Sequence, residues 1–211
     1  MAKTHPDEDF ALAAQIGTRQ SIRRYEPSAI DDDVVTRLLT AASRAPSAHN
    51  RQPWRFAVLT SDRIKHRLAE AMGRKLRHDR SADGDAAEAI EADIARSYQR
   101  ITLSPLVIVT FVDMSDMDNY PDKPRNEAEY LMAVQSAAMA AQNLLLAAHA
   151  EGLGASIMCA PLFCSEVIVE QLQVPTHWRA QMLVTIGAPA ASGRGRSRLP
   201  LDQIVRWRTE Q

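Results

Sequence analysis

Apolar positions recur at helical spacing over 34–42, where Val34, Val35, Leu38, Leu39 and Ala42 form one stripe behind Asp31, Asp32 and Asp33. Carboxylates at that end suit the positive pole of a helix dipole, and the stripe predicts a face turned to a core. Pro46 stops this helix, leaving 45–53 as an irregular loop. Upstream, 7–17 reads as a first helix closed near Gly17. Residues 56–60 read as a short strand, 62–76 as a helix, and the polar 77–84 as a mobile connection. A helix resumes over 86–101 with Ile90, Ile94, Tyr98 and Ile101 on one side, and Ser104-Pro105 ends it. Leu106 to Val112 is an unbroken β-rich run suited to a central strand. A long loop over 113–124 follows.

The alanine-rich 126–151 reads as the longest helix. It is apolar on most faces, which predicts burial on nearly all sides, within the subunit or at an interface. Gly152 ends it; 155–159 and 181–187 read as strands and 165–172 as a short helix. Gly152-Leu153-Gly154 follows a helix and reads as a cap and turn rather than a nucleotide loop. Helices alternating with three or four apolar strands indicate an α+β or α/β sandwich.

Composition narrows the function classes. The chain has 211 residues, 45% apolar and 24% charged, as expected of one soluble domain spanning 1–211. A net charge of -1 argues against a nucleic-acid binder. The apolar stretch 137–150 is interrupted by Gln142, Asn143 and His149, so no membrane span is expected, and the polar start carries no signal-peptide core. Cys159 and Cys164 have neither redox nor metal spacing and read as reduced thiols, which predicts a cytoplasmic protein.

Candidate chemistry is sparse. There is no GxSxG, no HExxH and no Walker or GxGxxG loop, and the six histidines are scattered. His49 stands out only for lying in a polar loop beside Asn50. Two arginine pairs remain, Arg19-Gln20-Ser21-Ile22-Arg23 and Arg196-Ser197-Arg198. Guanidinium forks stay charged and grip phosphate oxygens in pairs, so joined chain ends would make a split phosphate site.

Three segments carry a resemblance. Thr18 to Tyr25 (TRQSIRRY), Ala45 to Trp54 (APSAHNRQPW) and Arg196 to Pro200 (RSRLP) resemble, in order, signatures of the nitroreductase family of flavin enzymes. The resemblance implies a homodimeric α+β fold: a three-layer sandwich with a central mixed sheet and the long helix buried at a dimer interface, where two FMN sites lie. It implies that Arg19, Arg196 and Arg198 hold the phosphate, with Ser21 adding a hydroxyl. Gln20 and Arg23 would contact the ribityl chain and the pyrimidine end of the ring. Pro46, Ser47, Ala48 and Asn50 would reach the flavin from the other subunit, and the backbone at Cys159 and Ala160 would approach N5. Hydride transfer through the flavin needs no protein acid or base, in keeping with the missing triad and metal cluster. The donor would be NADH, NADPH or a reduced deazaflavin.

A narrower likeness, over 72–161 with Tyr120-Pro121-Asp122 and Gly152-Leu153-Gly154, is to the flavin domain of the enzyme that completes the deazaflavin coenzyme F420. It implies reduction of a dehydro precursor, without the ligase domain fused there. Two alternatives are a flavin-consuming dimethylbenzimidazole synthase and a flavin-binding redox sensor without turnover.

Overall fold

Strand β2 (Leu106–Val112) is buried along its whole length and organises the molecule. Its side chains alternate between two faces, as strand geometry demands. Val107, Val109 and Phe111 enter a core with Leu68, Met72, Ile168 and Leu183. Leu106 and Ile108 enter a second core with Val35, Leu38, Leu144 and Ala148. Each fully buried side chain of this size contributes about 1.5–3 kcal/mol. The computed structural model describes residues 6–193, 195 and 197–208.

Helices α1 (Pro6–Thr18) and α2 (Asp32–Ser43) precede β1 (Trp54–Leu59). A helical hairpin, α3 (Asp62–Ala82) and α4 (Ala87–Thr102), leads to β2. Then come α5 (Lys123–Ala150), β3 (Gly154–Met158), α6 (Ser165–Leu172), β4 (Arg179–Gly187) and a single turn, α7 (Leu201–Ile204). With α2 and α5 on one face of the sheet and α3 and α6 on the other, the chain is an α+β three-layer sandwich.

The sheet differs from the expected mixed one. Its four strands lie in the order β1-β2-β4-β3, and each adjacent pair is antiparallel. β2 and β3 do point the same way, as a strand–helix–strand crossover requires, but β4 inserts between them. Among the described residues, parallel pairing is confined to one isolated bridge, Ser21 to Ala155.

Other departures from the sequence reading have local causes. The stretch 77–84, expected to be a mobile connection, is mostly helix, since α3 runs to Ala82. Arg77 binds Glu91 at 2.6 Å, Arg80 binds Asp85 and Asp93, and Gly84 turns the chain at φ 83°. α5 begins at Lys123 because Asp122 caps it, accepting from the Arg125 amide at 3.0 Å, and proline is tolerated in a first turn. α5 is also long and apolar enough by composition to cross a membrane. It packs one face on the sheet through Ala133, Ala137, Ala140 and Leu144, while Leu131 and Met139 on other faces are exposed. Burial on nearly all sides is therefore not met within one chain.

Candidate functional site

The first arginine segment is laid along the outer edge of β3. Besides the Ser21–Ala155 bridge, the Ile22 amide donates to the Ala155 carbonyl at 3.0 Å. Tyr25 locks the segment from beneath, its hydroxyl lying 2.6 Å from the Ile22 carbonyl and 2.8 Å from that of Thr185. Burial is the main influence on this phenol and, despite the Thr185 hydrogen bond and the Arg23 charge, pushes its pKa up to about 12. Two glycines make the approach possible. A Cβ on Gly154 would stand 2.6 Å from Ile22 Cβ, and one on Gly187 would stand 2.7 Å from Tyr25 Cβ. Gly154 is thus a packing requirement, whereas Gly152, at φ 74°, supplies the turn after α5.

The C-terminal segment comes to the same edge. The Glu26 amide donates to Ala188 at 2.9 Å and the Ala190 amide to Arg24 at 3.1 Å. Gly193 then rests against Gln20. The chain ends are brought together, with Ser21 and Arg23 exposed and Arg19 half-buried beside the junction. Arg198 is exposed, and Arg196 lies outside the described residues. Cys159 and Ala160 close the same strand, β3. Cys159 is exposed, while Ala160 packs on the core and accepts from the Cys164 thiol at 3.4 Å. Burial, then the Glu166 charge, push the Cys164 thiol up to about 11.

The second signature lies elsewhere. Pro46, Ser47, Ala48 and Asn50 belong to the loop that feeds β1, the opposite edge of the sheet. With two strands between the edges, the outer strands stand about 14 Å apart at ordinary strand spacing. The loop is unusual in its backbone. His49, Asn50 and Gln52 all have positive φ, at 50°, 54° and 49°. Non-glycine residues rarely adopt this region, although asparagine and histidine tolerate it best. Ser47 Oγ accepts from the Gln52 amide at 3.0 Å, and the buried Ser136 Oγ on α5 accepts from the Ala48 amide at 3.3 Å.

Sequence reasoning missed the groups behind this loop. Arg55 Nη1 donates to the Gln52 and Trp54 carbonyls, both at 2.9 Å, while its Nη2 lies 3.0 Å from Asp113 Oδ2. The Asp113 amide donates to Pro53 at 2.8 Å. Burial disfavours the Asp113 carboxylate, but the Ser115 hydroxyl and amide, with the Arg55 and His177 charges, outweigh it and hold its pKa below the usual carboxylate range. Arg51 reaches Asp118 at 2.7 Å, on the wall of an open cleft of about 580 Å³ that Met114, Met117, Tyr130 and Arg179 also line. Nothing in the local pattern marks Arg55 or Asp113, since one follows a tryptophan and the other ends a strand.

The chain is thus a helix-flanked α+β three-layer sandwich with an arginine segment bound to one sheet edge and a strained polar loop at the other. Residues 16–188 match the nitroreductase family. The chain is 30% identical to a Thermus thermophilus NADH dehydrogenase, over 99% of this chain and all of that one. It is also 30% identical to the 5,6-dimethylbenzimidazole synthase of Rhodobacter capsulatus, over 89% of this chain and 86% of that protein. A Desulfovibrio desulfuricans protein described as a nitroreductase, solved in complex with FMN, superposes with a TM-score of 0.72 at 25% identity over 99% of this chain and 100% of that one. The chain belongs to the nitroreductase family.

Proposed function

We propose that this protein is a homodimeric FMN-dependent oxidoreductase that passes hydride from a reduced donor to an electron-poor organic acceptor. Family membership and the FMN-bound structural relative support the cofactor and the reaction class. The observation that carries the dimer is the separation of the two signatures onto opposite sheet edges. That separation supports a second copy as the source of the Pro46–Asn50 loop that meets a flavin ring resting on the Gln20–Arg23 edge. Exposed Leu131 and Met139 on α5, and Leu12 and Ile16 on α1, are apolar surface such a copy would cover.

The residues present fit the group. Arg19 and Arg198, with Arg196, offer guanidinium forks for the phosphate, and Ser21 adds a hydroxyl. Gln20 and Arg23 serve the ribityl chain and the pyrimidine end of the ring, where Arg23 places positive charge. Pro46, Ser47, Ala48 and Asn50 of the second copy cover the ring, and the backbone at Cys159 and Ala160 lines its reactive edge. FMN, when bound, supplies the hydride chemistry, and the protein binds, orients and shields it.

A nicotinamide donor is supported by the likeness to the Thermus NADH dehydrogenase. For the acceptor, the dehydro precursor of coenzyme F420 is the specific proposal, resting on the likeness over 72–161. The Rhodobacter relative favours a second reading, dimethylbenzimidazole synthesis, which predicts oxygen-dependent loss of the flavin and release of that product. The test is FMN titration and stopped-flow reduction by NADH, NADPH and reduced deazaflavin, followed by acceptor turnover. Protein that cannot be reconstituted with FMN overturns the proposal; bound FMN that no donor reduces points instead to a redox sensor.

A further inference from the structure

The geometry points to Arg55, oriented by Asp113, as a positioning residue that holds the 47–52 loop in the conformation that covers the flavin ring. The inference rests on the flavin reading above and adds to it residues that no signature contains. His49, Asn50 and Gln52 sit in a backbone region that costs roughly 1–3 kcal/mol per residue, so the loop persists only where its surroundings over-determine it. Ser47 and Ser136 bond amides within the loop, and one guanidinium holds its exit into β1. Arg55 holds the Gln52 carbonyl on one side of Pro53 and the Trp54 carbonyl on the other. Asp113, itself buried just past the end of β2, fixes that guanidinium and donates its own amide to the Pro53 carbonyl. Ser115 donates to Asp113 Oδ1 through both amide and hydroxyl, and His177 stands 3.7 Å from the same oxygen, so Oδ2 is left to Arg55.

The arrangement is specific to arginine. One nitrogen bonds two carbonyls while a second pairs with the carboxylate, which the planar fork allows and a lysine ammonium at the end of its stem does not reproduce. Asp113 is nearly inaccessible, so its charge would be costly without this partner. A salt bridge serving only surface stability would have no need to hold the carbonyls of a strained loop. Arg55 touches no reacting atom here; it acts through the backbone of Gln52 and its neighbours.

The experiment compares wild type, Arg55→Ala, Arg55→Lys and Asp113→Asn as full-length dimers, reading affinity for FMN and for riboflavin, the bound flavin's visible absorption and fluorescence, and unfolding by circular dichroism. Arg55→Ala should weaken FMN and riboflavin by the same factor, about tenfold, as expected when the covering loop conformation becomes about tenfold less populated. It should also alter the bound-ring spectrum, because the ring cover and not the phosphate grip is loosened. Arg55→Lys should restore thermal stability but not the spectrum. Asp113→Asn should reproduce the spectral change in part and serves where Arg55→Ala fails to fold. Wild type without FMN binding sinks the flavin reading itself. Wild type that binds FMN, with variants matching it in affinity and spectrum, overturns only the positioning role. Full spectral rescue by Arg55→Lys, or loss of FMN with riboflavin spared, overturns it as well.

Discussion

Gly193 lies so close to Gln20 that a Cβ on it would stand 2.8 Å from the Gln20 Cβ and 2.5 Å from Oε1. This contact joins the two ends of the chain three residues before Arg196. Gly193→Ala should push the C-terminal segment away from Gln20. We expect FMN affinity to fall several-fold with little change in the unfolding midpoint, measured by flavin titration and thermal melts. Unchanged affinity would mean that the junction does not position the phosphate site.

Arg19→Ala and Arg198→Ala should weaken FMN by about tenfold or more, the loss of a charged hydrogen bond to phosphate. Riboflavin, which lacks the phosphate, should bind these variants and wild type alike. Isothermal titration with both ligands checks this, and equal losses for the two would place the arginines elsewhere.

Tyr25 gives an alkaline signature. Its pKa rises from the ordinary 10 to about 12 in the fold, so its contribution is complete below pH 10 and is lost as pH climbs through 12. Urea midpoints should therefore decline in that window for wild type. Tyr25→Phe should start about 1–2 kcal/mol less stable and show a flatter decline.

Gly154→Ala places a methyl group against Ile22. Overpacking of this kind costs about 1–3 kcal/mol. Hydrogen exchange should show the Ile22 amide, bonded to Ala155, losing protection before the amides of β2 do. Uniform protection across both would contradict the edge-docking of this segment.

The two thiols should separate in labelling. Cys159 is exposed, while Cys164 is buried with its pKa pushed up to about 11. At neutral pH one equivalent of a thiol reagent should react with native protein, and urea should release the other. FMN should slow the first reaction if, as proposed, the backbone at Cys159 lines the reactive edge of the ring.

Much of the fold was legible locally. The stripe at Val34, Val35, Leu38, Leu39 and Ala42 did mark α2, and the run Leu106 to Val112 marked the central strand to the residue. The 77–84 stretch misled because its arginines and aspartates look like solvated turn residues until Glu91 and Asp93 of α4 are opposite them. The mixed sheet was implied by the resemblance alone; β4 lies between β2 and β3, which makes every adjacent pair of named strands antiparallel. Of the proposed site, the signatures singled out Gln20, Ser21 and the Pro46 loop as expectations; Arg55 and Asp113 carried no signal, because they lie far apart in the chain and pair only in the fold.

By itself the sequence determined the helices, the strands and the family, because hydrophobic period, caps and short motifs are written in neighbouring residues. Tertiary structure decided where those pieces stand. It set the two signatures on opposite edges of the sheet, drew Gly193 onto Gln20, and tied a strained loop to Asp113 through Arg55. Such relations depend on strand order and on glycines that admit close approach. Both are properties of the packed chain, and local spacing holds no record of them.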